Sequence, residues 1–167
     1  YLRDLPEGKL QWIGVRPGRR EGMVALSSTT AVAGYGLEGD RRMAGRPGSG
    51  RQVSLISVEF VDSIARHLGL RELDPALLRR NLLVSGINLN ALRHQYFQIG
   101  DAVFQATALC HPCTRMDEAL GAGGVVAMLG YGGLCARVLQ SGRLAVGDRL
   151  RPLDEQALPE SVQGSLF

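Results

Sequence analysis

Lysine is all but absent from this chain: Lys9 is the single example, and every other permanent positive charge is an arginine. Aromatic residues are scarce too, at 5% of the 167 residues. Nucleic-acid surfaces usually set stacking rings among their basic side chains and carry a recognisable motif. With few rings and no such motif here, nucleic acid is not the expected partner. Three cysteines, an odd number, do not build a disulfide framework in a chain of this size. No apolar run reaches spanning length, and no stretch reads as a signal peptide or lipidation motif. The expectation is therefore a cytoplasmic protein with no membrane partner. The segment Gly36-Leu-Glu-Gly-Asp-Arg-Arg42 is not followed by Gly-Lys-Ser/Thr and fits no dinucleotide fingerprint, which excludes the common nucleotide loops. Strands and helices do not alternate regularly, which argues against a doubly wound parallel sheet.

Glycine, by contrast, is abundant. Its 22 occurrences suit a β-rich fold with many turns better than a helix bundle. A chain of this length with ordinary apolar content (45%) buries a proper core and makes one unit. Residues 1–9 read as a lead-in, 10–152 as the domain, and 153–167 as a polar, peripheral tail. Alternating, β-rich stretches predict strands at 10–15, 23–26, 51–56, 82–84 and 134–139, and along the run from Tyr96 to Leu109. Ser57 is placed to cap a helix running to Leu68 and closed by Gly69, with Phe60, Val61, Ile64, Ala65 and Leu68 as its apolar stripe. Asp74-Pro75 opens a second, short helix, and residues 124–128 suit a third. Two segments rhyme, Phe97-Gln-Ile-Gly-Asp-Ala-Val-Phe104 and Leu144-Ala-Val-Gly-Asp-Arg-Leu150, each as a barrel strand entered through a tight Gly-Asp turn would read. The predicted fold is mainly β: a mixed or antiparallel barrel of about seven strands with two or three short helices.

Two constellations carry chemistry. Between Arg16 and Arg51 the basic residues are Arg16, Arg19, Arg20, Arg41, Arg42, Arg46 and Arg51, opposed there only by Glu21, Glu38 and Asp40. The guanidinium fork suits phosphate or carboxylate, so Arg41, Arg42 and Arg51 with glycine amides can cradle one phosphate; a solvated basic surface is the plain alternative. Arg79-Arg80-Asn81, at a helix end, carries the same two readings. The second constellation is Cys110-His-Pro-Cys113, two thiols around a turn that Pro112 forces at the end of a strand. A C-x-x-C serves as a redox pair, as half a zinc site or as soft-metal thiolates; two buried, inert cysteines are the plain alternative. His67, His94 and Cys135 supply no second pair at ligand spacing, which argues against tetrahedral zinc. The glycines of residues 121–124 and 130–133 let backbone pass close to whatever occupies the site.

Taken in order, these pieces resemble the MOSC domain family, named from the C-terminal domain of molybdenum cofactor sulfurases. The resemblance runs from Gly36-Leu-Glu-Gly-Asp-Arg-Arg42 through Arg51-Gln-Val-Ser-Leu-Ile-Ser57, Arg79-Arg80-Asn81-Leu82 and Phe97-Gln-Ile-Gly-Asp101 to Cys110-His-Pro-Cys113 and Val146-Gly-Asp148. It implies a pyruvate-kinase-barrel-like MOSC fold and binding of the molybdenum cofactor, a molybdenum-loaded molybdopterin. By the same resemblance Cys113 is the thiolate ligand to the metal and Arg79 with Asn81 holds the pterin's phosphate end. Arg41 matches a further basic position, and His111 stands where relatives meet the pterin. Cys110 would support the site, and Asp117 would manage protons or orient substrate. The implied activity is reduction of a small N-hydroxylated compound, with a separate electron-donor protein; the alternative is a non-catalytic carrier of sulfur or cofactor through a cysteine persulfide. No pyridoxal phosphate is expected, because Lys9, in the lead-in, is the only lysine.

Overall fold

The computed structural model describes residues 4–112 and 115–166. The first strand, β1 (Gly8–Val15), is followed by short strands β2 (Val24–Leu26), β3 (Ser28–Val32) and β4 (Gly36–Leu37). Next come β5 (Val53–Ser57), α1 (Val58–His67), β6 (Leu82–Ser85), β7 (Tyr96–Ile99) and β8 (Ala102–Leu109). Two short helices, α2 (Arg115–Leu120) and α3 (Gly124–Met128), lead to β9 (Leu134–Gln140), β10 (Gly142–Ala145), β11 (Arg149–Leu153) and α4 (Glu160–Leu166).

Seven of the strands close a mixed barrel in the order β11-β7-β8-β9-β5-β6-β1, sealed where Gly8 and Lys9 of β1 pair with Leu150 and Arg149 of β11. Every neighbouring pair is antiparallel except β5 and β6. A parallel pair needs a crossover, and α1 with the 3-10 turn Pro75–Leu78 supplies it. β2 extends the edge at β1, while β10, β3 and β4 form a small second sheet. That sheet's Ala31, Leu37 and Leu144 join the barrel's own core of Leu10, Ile13, Leu55, Leu82, Phe97 and Phe104. Phe97 and Phe104 face each other across β7 and β8 with near-parallel rings 5.1 Å apart.

The local signals read from sequence act as expected at the elements that flank the site. Ser57 caps α1, its hydroxyl accepting from the Phe60 amide at 3.0 Å, and Gly69 follows the helix in the left-handed region. Val61, Ile64 and Ala65 are the buried stripe. Val61 and Ile64 pack with Ile56, Leu78, Met116 and Met128 into a second cluster that seats α1 to α3 outside the barrel. The two Gly-Asp segments do make the turns entering β8 and β11.

Three departures have physical causes. The tail is not peripheral: Leu158 and Val162 bury against Val103 and fix α4 to the barrel wall. Residues 28–32 and 36–37, outside the predicted strands, form β3 and β4 because β10 offers β3 an edge to pair with and β3 in turn offers one to β4. And α2, which no predicted helix covers, is held by buried Met116.

Gly133, at the entry to β9, is a point where backbone passes close to backbone. It lies at φ +89°, and a Cβ there would collide with the Leu55 carbonyl of β5. Gly130 has a similar φ of +82° but open space around it. Gly133→Ala is expected to cost about 3 kcal/mol or more, strain plus clash, and Gly130→Ala about 1 kcal/mol from strain alone. Urea unfolding of the two variants checks this; equal losses would mean the Leu55 contact is unimportant.

Candidate functional site

The site is assembled on a buried carboxylate. Asp40 is 4% exposed. It accepts from the Arg16 amide (2.7 Å), from Arg16 Nε and Nη2 (3.1 and 3.0 Å), from the Arg42 amide (3.1 Å) and from Asn81 Nδ2 (3.3 Å). Burial pushes its pKa up, but the Arg16 hydrogen bonds and charge, with the Arg42 amide, more than offset that and hold it below 3.8. Asn81 is 1% exposed and completes the knot. Its Nδ2 also donates to the Gly14 carbonyl (3.0 Å), and its Oδ1 accepts from the Ser54 amide (3.1 Å) and hydroxyl (3.2 Å). The end of β1, the start of β5, the start of β6 and the loop around residue 40 are thereby tied at one point.

This knot sets the arginines. Arg16, Arg41, Arg42 and Arg51, with Gly45, line a cleft of about 350 Å³. Arg16 is matched by Asp40, but Arg41, Arg42 and Arg51 have no ion-pair partner among the described residues. A neighbouring hollow of about 270 Å³ is lined by Arg20, Arg79, Arg115, Glu118 and Ala119. Arg79 joins the two: its backbone is left-handed at φ +57°, and its Nη1 donates to the Glu21 carbonyl at 2.6 Å. Its pKa is lowered by desolvation and then by the positive charges of Arg16, Arg41 and Arg115. Like charges crowded with little to neutralise them make a site for an anion.

The thiols lie at the other side of this ground. β8 ends at Leu109, and the Cys110 amide still donates to the Gly133 carbonyl (2.8 Å). Cys135, on β9, faces Ala108 on one side and Ser54 on the other. Its thiol donates to the Cys110 sulfur, and that bond, against the opposing effect of burial, pulls the Cys110 pKa down to about 6. The charges of Arg80, Arg51 and His111 assist. The same pairing, with burial, pushes Cys135 up. Arg80 is 8% exposed; Nε donates to the Gly132 carbonyl (2.9 Å) and Nη1 to the Leu78 carbonyl (3.1 Å). Its buried Nη2 has no partner among the described residues.

Of the residues marked from sequence, Arg41 and Arg51 share the cleft, Arg79 adjoins it, and Cys110 sits within the field of Arg51 with exposed His111 beside it. Asn81 is brought to the same place, but its side-chain amide is fully engaged by the protein. Asp117 is turned to α3, its Oδ1 accepting from the Val125 amide at 2.9 Å. Cys113 lies outside the described residues. Sequence reasoning weighed Cys135 only as a zinc ligand, left Arg80 between a phosphate contact and a solvated surface, and did not pair Arg16 with Asp40, although Asp40 stood out as one of three acids amid seven arginines. No cluster of three or more His, Cys, Asp or Glu among the described residues could hold a metal ion.

Residues 40–151 match the family model of the MOSC domain. Among solved structures, the YuaD protein of Bacillus subtilis superposes with a TM-score of 0.75 at 20% identity, over 88% of this chain and 96% of that one. YiiM of Escherichia coli gives 0.67 at 19% identity, over 87% and 70% of the two chains. YiiM of Geobacillus stearothermophilus gives 0.70 at 16%, over 95% and 83%. At these identities the likeness is one of fold. No curated protein matches the chain in sequence.

Asp40→Asn tests the knot. A carboxylate whose folded pKa is depressed stabilises the fold above its unfolded value, and that contribution is lost as pH falls through the folded value. At pH 7 the variant should be destabilised by about 3 kcal/mol, since Arg16 loses its buried counter-charge. The gap should narrow below about pH 4 as the parent's carboxylate protonates. Chemical denaturation from pH 7 to pH 3 reads it, and a gap independent of pH would contradict this assignment.

Proposed function

This chain belongs to the MOSC domain family, and on that footing we propose that it binds the molybdenum cofactor in the arginine cleft and reduces small N-hydroxylated compounds. The carrying observation is the cleft itself: Arg41, Arg42 and Arg51, without counter-ions among the described residues, lead from an anion site to a strand end bearing thiols. The residues fit such a group. Three guanidinium forks suit its phosphate, with Arg79 alongside. At Gly132 a Cβ would strike the Cys110 carbonyl, so the glycine leaves bare backbone beside the thiol. Soft thiolate is the donor a sulfur-ligated metal favours, and Cys113 is the residue assigned to it.

When bound, the cofactor supplies two-electron oxygen-transfer chemistry. The chain's own residues bind and orient. Arg41, Arg42 and Arg51 fix the phosphate end, and Asp40 with Asn81 holds the loop that presents them. Cys110 and His111 flank the reacting end. Asp117, on α2, holds the start of α3 through the Val125 amide and is the acid assigned to orient substrate or pass a proton. A separate electron-donor protein returns the two electrons used per turnover.

Expression in a host that makes the cofactor, followed by metal and pterin analysis, tests this. The parent should carry close to one molybdenum and one pterin per chain. Cys113→Ser should lose the metal, and Arg41→Ala/Arg51→Ala should lower pterin affinity about a hundredfold, roughly tenfold for each charged contact. No metal and no pterin in the parent would overturn the proposal. Loaded protein that fails to turn over an N-hydroxylated base with a chemical electron donor, but labels as a persulfide at Cys113, would move the assignment to a sulfur carrier.

A further inference from the structure

The family match assigns nothing to Cys135, yet the fold sets it against Cys110. The register Ala108 to Cys135 and Leu109 to Leu134, continued by the hydrogen bond from the Cys110 amide to the Gly133 carbonyl, places both side chains on one face, diagonally across β8 and β9. The two thiols are paired, with Cys135 as the donor to Cys110. Two differences separate them. Cys135 is 5% exposed and pinned through its carbonyl by the Thr107 hydroxyl at 3.2 Å, whereas Cys110 is half-buried and reachable. Beside them is the Arg80 guanidinium, more than nine-tenths buried, with Nη2 lacking a partner among the described residues. A buried cation with an open donor next to a thiol favours its anion.

We propose that Cys110 and Cys135 form a redox-active dithiol beside the arginine cleft, in which hydrogen peroxide oxidises Cys110 and Cys135 resolves it to a cross-strand disulfide. In the first step the Cys110 thiolate attacks one peroxide oxygen; the O–O bond breaks, hydroxide leaves, and the sulfur becomes a sulfenic acid. In the second the Cys135 sulfur attacks that sulfur; an S–S bond forms, the S–O bond breaks, and the Cys135 proton leaves with the hydroxide as water. Together two thiols lose two electrons to one peroxide, and two external thiols reverse the change. Arg80 holds Cys110 in its reactive form. Burial of Cys135 sets the order, because only Cys110 meets the oxidant. The proposal is independent of the cofactor reading, since neither sulfur is the assigned metal ligand.

The test uses the reduced 167-residue chain treated with hydrogen peroxide, free thiols then blocked with N-ethylmaleimide, and peptide mapping by mass spectrometry. The expected product is a Cys110–Cys135 disulfide that dithiothreitol reverses and that persists in Cys113→Ser. In Cys135→Ser, dimedone should trap Cys110 as a sulfenic acid that the parent does not accumulate. Arg80→Met, checked for native circular dichroism, should slow the oxidation of Cys110 about tenfold at pH 7. A Cys110–Cys113 disulfide as the main product, Cys110 still alkylated after peroxide, or equal dimedone labelling of parent and Cys135→Ser would overturn the pairing. An unchanged rate in folded Arg80→Met would overturn the part given to Arg80.

Discussion

The buried carboxylate of Asp40 is the constraint on which this end of the molecule depends. It is approached by five donor groups, from Arg16, Arg42 and Asn81, and through Asn81 it is tied to Gly14 and Ser54. A buried ion pair adds little net stability, because desolvation opposes the attraction; breaking one is costly, because the survivor is left unpaired. Its contribution is therefore position. The ladder that joins β1, β6 and β5 reaches its end at this point, and the knot ties the irregular loop around residue 40 to it in one position.

Position then creates the electrostatics. Arg16, Arg41, Arg42, Arg51, Arg79 and Arg115 would spread apart on a flexible loop; held as they are, they repel, and Arg79 registers that repulsion. Charges kept together against repulsion make a setting that an anion would stabilise. The thiol region uses the same field differently. Arg80 and Arg51 both act on Cys110, so anion binding and thiol reactivity share Arg51. Filling the cleft with a phosphate would screen Cys110 from part of that field.

Much of this was legible in the sequence, where the signal is local. Ser57 caps a helix because its hydroxyl reaches an amide three residues on, and Gly-Asp turns precede β8 and β11 because only short-range geometry is involved. The arginine segment was legible as charge, and its family resemblance agrees with the matched domain. The Cys110–Cys135 contact was not, because it depends on the register of β8 against β9, which carries an irregularity between Ala106 and Ala108. Asn81 was visible as a polar residue between a helix end and a strand, but whether its amide faces a ligand or the protein follows only from how β1, β6 and β5 pair side by side. α4 hid in a polar tail whose two buried residues, Leu158 and Val162, are too few to show a period.

The central claim is that the arginine cleft and the thiol-bearing strand end are two ends of one binding site. Anomalous diffraction at the molybdenum edge, from crystals of cofactor-loaded protein, tests it most directly. The account predicts a metal peak beside the turn that follows Cys110, with the pterin's phosphate density among Arg41, Arg42 and Arg51. A metal peak elsewhere on the barrel, or phosphate density outside that cleft, would contradict it.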